Sequence, residues 1–319
     1  MRAIWVTEFG APTVLTPGEA PDPTPADGQV RVDVEAVSVV FIETQLRAGG
    51  FAPPGAARKP PYIPGNGVGG VVGAVGPHVD PGLVGRRVVT TTGGAGGYAE
   101  QVVVDVDALI DVPDAVTLTD AVALLADGRT AMGLVRVAKP AAGEWVLIEA
   151  AAGGVGTLLV QLSVAAGARV IGAASSDRKL AVVRELKAET VDYTRPDWTD
   201  AVRRSTGGEA VDVVFDGVGG AIGTAAASLT RAGSRFVVHG AASGGMTDST
   251  VAAQRGATIY GMRELGGMNA SQLTAAALAE AAAGRLHPVI GQTFPLERAA
   301  DAHVQIEARQ SIGKTLLLV

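Results

Sequence analysis

Short runs of alternating apolar and polar residues dominate the first 120 positions, notably QVRVDVEAVSV at 29–39 and RRVVTTT at 86–92, broken by PDPTPADG and GPHVDPG. A period of two marks strands with one buried face, and Pro/Gly/Asp clusters mark tight turns, so antiparallel β-structure is predicted here. From about residue 121 the pattern changes. DAVALLADGRTAMGLVRVA reads as a helix, and then the apolar runs WVLIEA, ARVIGAA, VDVVFDG, SRFVVHG and ATIYGM alternate with Ala/Leu-rich helical segments. Such alternation predicts a doubly wound, mainly parallel sheet. After the helix-like SQLTAAALAEAAAGRL, the pieces HPVIGQTFPL, a polar helical segment and GKTLLLV return to the texture of the first region. The expected division is a β-rich domain over 1–120, completed by 287–319, and an α/β domain over 121–286. A chain of 319 residues is long enough for two such cores.

Composition narrows the chemistry. With 47% hydrophobic residues, 18% charged and a net charge of -6, the chain has no electrostatic attraction for nucleic acid or an acidic membrane surface. It contains no cysteine, which excludes disulfides, thiolate metal sites and Cys nucleophiles, so any redox chemistry needs a bound cofactor. MRAIWVTEFG lacks a basic segment leading into an apolar core, and no apolar run approaches the roughly 20 residues of a membrane span. A cytoplasmic location is expected. The Ala- and Gly-rich texture keeps strand and helix periods, which argues for a folded chain.

Between a predicted strand and a predicted helix lies AAAGGVG, 150–156. Counted from Ala151 it reads A-x-G-x-x-G, with Gly153 and Gly156 at the second and third positions of the dinucleotide fingerprint and alanine at the first. Gly153 would admit a pyrophosphate to the backbone, Gly156 would let helix and strand pack closely, and the helix start would offer N–H groups to the anion. A plain glycine-rich turn is the competing reading; the flanking strand and helix favour the dinucleotide loop. At the end of the next strand, ARVIGAASSDRKL has no carboxylate at Ala174 and offers Ser175, Ser176, Arg178 and Lys179. Hydroxyls and cations without a repelling acid suit a 2′-phosphate, hence NADPH. The same residues also read as a helix N-cap followed by a solvated turn, and the two readings are compatible.

In order along the chain, VVFIETQLRAG, YIPGNGVGGVVGAVG, GRRVV, GGYAE, AAAGGVG, VDVVFDGVGG and GKTLLLV make the sequence resemble the medium-chain dehydrogenase/reductase superfamily. The resemblance covers nearly the whole chain and is closest to the zinc-free quinone oxidoreductase branch, which includes the NADPH:quinone reductases and zeta-crystallin. It implies an α/β protein with a GroES-like β-rich catalytic domain, a Rossmann doubly wound domain and an active cleft between them. It also implies a homodimer formed along the edge of the Rossmann sheet, with ATIYGM as the candidate edge strand. At the positions where zinc-dependent relatives carry two cysteines and a histidine, this chain has Val40, Asn66 and Asp127. One amide and one carboxylate do not make a catalytic zinc site, and the four-cysteine structural lobe is absent. The four histidines, His78, His239, His287 and His303, show no metal-ligand spacing, so no metal is expected.

The resemblance also implies roles for individual residues. Gly153, Gly154 and Val155 match the pyrophosphate loop; Ser175, Lys179 and Tyr193 match the 2′-phosphate pocket; Thr130 matches a residue near the nicotinamide. Gly217, Val218, His239 and Gly240 match loops lining the cofactor cleft. Tyr193 reads equally as a half-buried packing residue. Val40, Gln45 and Tyr62 fall in the substrate pocket, where the branch usually has Asn at 40 and Tyr at 45, Asp at 43 in place of Glu43, and an acid at 67 in place of Gly67. The candidate catalytic residues are Tyr62, a donor to a substrate oxygen or else a packing residue, and Asp127, an ionisable group near the cofactor. The proline-rich FAPPGAARKPPYIPG reads as a lid or as a stiff surface loop.

The expected activity is hydride transfer from NADPH, without zinc, to a quinone or related conjugated carbonyl. Two alternatives stand beside it: an enone or enoyl-thioester reductase of the same fold, and a catalytically weak NADPH-binding protein. There is no G-x-S-x-G elbow, and a hydrolase is not expected.

Overall fold

In the computed structural model, which describes residues 1–50 and 58–319, the alternating run Gln29–Val39 forms a single strand, β3, burying Val30, Val32, Val34 and Val37. Its length lets it serve three neighbours: β4 (Gly67–Val75) along one edge, and β6 (Gln101–Asp105) and β15 (Lys314–Leu318) along successive halves of the other. The sheet runs β14 (Ile290–Pro295), β15, β3, β4, β5 (Arg87–Thr91), β7 (Ile110–Asp111), with β6 on β3. All its pairs are antiparallel except β14 with β15. A separate ribbon joins β1 (Arg2–Val6) to β2 (Leu15–Glu19). Phe294, Leu296 and Leu317 enter the same core as Val30, Val68 and Tyr98, which is why the end of the chain belongs with its beginning. Two short helices, α1 (Phe41–Arg47) and α10 (Ala299–Glu307), pack on each other in this unit.

The chain divides into two units, 1–126 with 274–319, and 127–273, so the boundaries fall inside α2 (Leu118–Ala138) and α9 (Ala270–Ala282). The second unit holds a six-stranded parallel sheet in the order β10 (Glu189–Asp192), β9 (Arg169–Ala174), β8 (Trp145–Ile148), β11 (Val213–Asp216), β12 (Arg235–Val238), β13 (Thr258–Tyr260). Helices follow the strands: α3 (Gly154–Ala165), α4 (Asp177–Glu185), α5 (Trp198–Ser205), α6 (Gly220–Ala227), α7 (Thr250–Gln254) and α8 (Met262–Gly266). Strands buried on both faces read as continuous apolar runs, and β8 and β11 have every residue buried. The strand order reverses between β8 and β11, the switch point at which doubly wound sheets bind ligands. ATIYGM supplies the edge strand β13; the opposite edge, β10, was not predicted, because in ETVD only Val191 is buried.

No helix among the described residues is long and apolar enough to cross a membrane. Residues 51–57 of the proline-rich insertion lie outside the described residues, and with them the choice between lid and stiff loop.

Candidate functional site

Three strands of the parallel sheet end in the same grammar: an apolar run, one polar residue, then glycine-rich loop. They are WVLI-Glu149 before AAAGG, VVF-Asp216 before GVGG, and RFVV-His239 before GAAS. After β8, Gly153 is the N-cap of α3, with no side-chain cap bond, and the Thr157 N–H donates to its carbonyl at 2.9 Å. The first N–H groups of a helix have no acceptor within it; the Gly153 N–H is spent on the Ala150 carbonyl at 2.8 Å, and the donors this partly exposed turn presents are those of Gly154 and Val155. A Cβ on Gly153 would meet only the Ala150 carbonyl oxygen, at 3.2 Å; one on Gly156 would lie 2.3 Å from the same oxygen and 2.8 Å from Ala151 Cα. Gly156 thus serves packing of helix on loop, whereas Gly153 keeps the outer surface clear. This cradle fits the pyrophosphate of a dinucleotide.

The next two strands bring Ser175 and Tyr193 together. Asp192 and Ala174 are register partners, so Tyr193 and Ser175 follow side by side, and the Tyr193 N–H donates to the Ala174 carbonyl at 3.2 Å. Lys179, one turn into α4, approaches Ser175 Oγ at 3.5 Å. Ser176 takes the N-cap position of α4 but makes no side-chain cap bond. The ring of Tyr193 packs partly against the sheet core, so its packing role and its place beside Ser175 coexist.

At the switch point Asp216 organises the loops that hold Gly217, Val218 and Gly240. Its Oδ1 accepts from the N–H groups of Val218 (3.2 Å) and Gly219 (2.8 Å), its Oδ2 from the Thr247 hydroxyl, and its carbonyl from the N–H groups of His239 (2.9 Å) and Gly240 (3.2 Å). A Cβ on Gly240 would sit 2.4 Å from the Gly217 carbonyl oxygen, so these loops touch backbone to backbone. The His239 ring lies beside Gly217 with Nε2 enclosed; burial lowers its pKa to about 4, against the opposing pull of Asp216, and the imidazole is neutral. Glu149, fully buried, is pushed well above the usual carboxylate range by desolvation first and then by Asp216. Sequence reasoning passed over Glu149 and Asp216; a polar residue closing an apolar strand run directly before glycines was the available signal. Asp127 and Thr130 lie one turn apart on α2. Burial lowers the neighbouring Arg129 guanidinium and Asp127 opposes that shift.

In the β-rich unit the organising residue is Glu43. Its carboxylate, buried in α1, accepts from the N–H of Val40 (3.0 Å), the N–H of Asn66 (3.0 Å) and the Tyr98 hydroxyl (3.0 Å). Tyr98 OH also meets His303 Nε2 at 2.9 Å, and burial drives His303 down to about 3. The chain Glu43–Tyr98–His303 therefore holds in place the backbone at positions 40 and 66. Desolvation raises Glu43 despite the three donors. Gln45 Nε2 reaches Thr44 Oγ1 at 3.2 Å. Tyr62 is clamped to Val6 by two backbone hydrogen bonds, 2.8 and 3.2 Å, with its half-buried ring against the β core. Burial raises the phenol, with Arg47 opposing, so Tyr62 is a hydrogen-bond donor at neutral pH and a poor proton source. No group of three His, Asp or Glu among the described residues could hold a metal ion.

A GroES-like β unit and a Rossmann unit in one chain define the medium-chain dehydrogenase/reductase class. Residues 26–114 match the alcohol dehydrogenase GroES-like domain, and residues 186–317 match the family described as zinc-binding dehydrogenase. The chain is 32% identical to a quinone oxidoreductase of Sus scrofa, over all of this chain and 98% of that protein. It is 34% identical to a 2-haloacrylate reductase of Burkholderia sp, over 92% of each. Among solved structures, an NAD-dependent alcohol dehydrogenase superposes with TM-score 0.90 at 31% identity, and the Escherichia coli quinone oxidoreductase complexed with NADPH with TM-score 0.89 at 27% identity, each covering both chains fully. The chain belongs to the quinone oxidoreductase-like branch of the medium-chain dehydrogenase/reductase superfamily and is an oxidoreductase.

Proposed function

We propose that the protein is an NADPH-dependent, metal-independent reductase of quinones or related conjugated carbonyls. The observation that carries the cofactor half of this reading is the acid-free set Ser175, Lys179 and Tyr193, gathered at the ends of β9 and β10 beside the glycine cradle. Two hydroxyls and a cation complement a 2′-phosphate, whereas a ribose diol calls for a carboxylate at this strand end. Gly153, Gly154 and Val155 hold the pyrophosphate at the start of α3, and the loops at Gly217–Val218 and His239–Gly240, with Thr130, line the nicotinamide side. NADPH, when bound, supplies the hydride.

The protein's own contribution is orientation and exclusion of water. Val40, Gln45 and Tyr62 form the acceptor pocket, Tyr62 donating a hydrogen bond to a substrate oxygen, while a valine at 40 and an amide at 66 offer no zinc ligand of the usual kind. An acceptor that is already electrophilic needs no metal to polarise it. The likeness to a 2-haloacrylate reductase favours a second reading within the same chemistry, reduction of a conjugated acid or enone. A weakly catalytic NADPH-binding protein is the remaining alternative. NADPH oxidation across a panel of quinones, enones, enoyl thioesters and 2-haloacrylate separates the three: turnover with none of them refutes the reductase reading. Self-association through β13 is tested by sizing in solution.

A further inference from the structure

Glu149 has no role in the reading above. Its side chain is fully buried, and neither carboxyl oxygen completes a well-formed hydrogen bond among the described residues. It stands one residue beyond the register pair Ile148–Phe215, and so beside Asp216, where β8 and β11 diverge. Asp216 acts on it both through charge and through direct contact. Two facing carboxylates are two acceptors that repel; one proton between them turns the contact into a hydrogen bond. Asp216 already receives donors from Val218, Gly219 and Thr247. The Val218 N–H also leans toward Glu149 and opposes the upward shift, but it is shared with Asp216, so the proton belongs on Glu149, the less well supplied of the two. The titratable groups around the pair are Asp216 from β11 and, facing Asp216, the neutral His239 that follows β12.

Both residues immediately precede glycine loops, 150–156 and 217–220. We propose that Glu149 is a positioning residue: it carries a proton held against Asp216, and this shared proton fixes the two loops against each other, so that dinucleotide affinity falls when the proton leaves. The proposal rests on reading these loops as cofactor loops. Ionising Glu149 would set two buried negative charges side by side and drive the loops apart. A glutamine at 149 keeps the shape and a permanent N–H donor toward Asp216 but cannot titrate.

The test compares the parent protein with Glu149→Gln in two measurements from about pH 6 to about pH 10. In NADPH titration, the parent is expected to lose affinity toward alkaline pH, approaching about tenfold per pH unit in the window where the pair ionises, while Glu149→Gln stays within about twofold across the same range. Coincident profiles, or a flat parent profile, would overturn the proposal. In thermal melting without cofactor, the folded state binds the extra proton, so the parent should lose stability as pH rises and Glu149→Gln should lose less. If NADPH binds neither protein at any pH, the cofactor reading fails, and the shared proton is judged by melting alone: parallel melting profiles then refute it. Should Glu149→Gln not fold, Glu149→Met carries the same comparison, since methionine also cannot titrate.

Discussion

Gly153 and Gly156 stand three residues apart in one loop, and their surroundings predict opposite consequences for the same methyl group. In Gly156→Ala the new Cβ would lie 2.3 Å from the Ala150 carbonyl oxygen and 2.8 and 2.9 Å from Ala151 Cα and C. All are backbone atoms, so no rotamer relieves the overlap and the first turn of α3 must lift away. Overpacking of this kind costs about 1–3 kcal/mol. Alanine's better helix propensity returns at most about 1 kcal/mol. Because the overlap is wholly with backbone, the cost lies in the upper part of that range, about 2–3 kcal/mol, and the net loss of about 1–2 kcal/mol corresponds to a fall in Tm of roughly 2–8 °C for a domain of this size. In Gly153→Ala the nearest atom is 3.2 Å away, and φ -82°, ψ 172° suits any residue, so Tm should stay close to that of the parent. The added methyl, however, stands on the surface the pyrophosphate must approach, and NADPH affinity should fall by about tenfold or more, some 1.4 kcal/mol. Scanning calorimetry and NADPH titration on both variants separate the two glycines. Unchanged NADPH affinity in Gly153→Ala, or parent-like melting of Gly156→Ala, would refute the reasoning for that position.

Lys179→Ala should weaken NADPH by about 10- to 100-fold, the worth of a charge-assisted hydrogen bond, and leave NADH affinity unchanged; equal losses for both would remove Lys179 from the 2′-phosphate pocket. His303, held near pKa 3 by burial, binds fewer protons folded than unfolded between about pH 6.5 and pH 3, so stability should fall with falling pH at up to about 1.4 kcal/mol per pH unit. His239, held near 4, adds to the same slope above that pH; His303→Gln should flatten the curve, and parallel melting profiles for parent and variant would contradict this. Tyr98→Phe removes the hydroxyl between Glu43 and His303 and leaves the buried carboxylate one donor short, an expected loss of about 1–3 kcal/mol in chemical denaturation.

How much of this was legible in the sequence depended on whether a feature is local. β3 and the apolar runs of the parallel sheet announce themselves by period and by unbroken apolar stretches, because burial on one face or two imposes those patterns directly. The return of the last segment to the β-rich unit showed in its texture, and Phe294 and Leu317 complete that core. ETVD did not show, because an edge strand with one buried side chain has little pattern to display. In the site, AAAGGVG and SSDRK could be read in place as candidates, since each is a short stretch whose own backbone and side chains make up the proposed binding surface. The pairing of Glu149 with Asp216 depends on strand order, and the chain Glu43–Tyr98–His303 joins positions up to 260 apart in sequence (303 minus 43). Neither has a spacing to detect before the fold is known.

The grip of Glu43 on the backbones of Val40 and Asn66 bears on how new specificity arises. Because both positions are anchored through main-chain N–H groups, the backbone there is a fixed mount; the valine at 40 is an exchangeable fitting on it, whereas Asn66 Oδ1 also accepts from the Gly94 N–H at 2.7 Å. A lineage can therefore exchange the side chain at position 40 without rebuilding the surrounding frame. For protein engineers the proposed acceptor pocket makes position 40 the site to randomise when a different acceptor is sought, with Glu43, Tyr98 and His303 left untouched as the part of the molecule that must not vary.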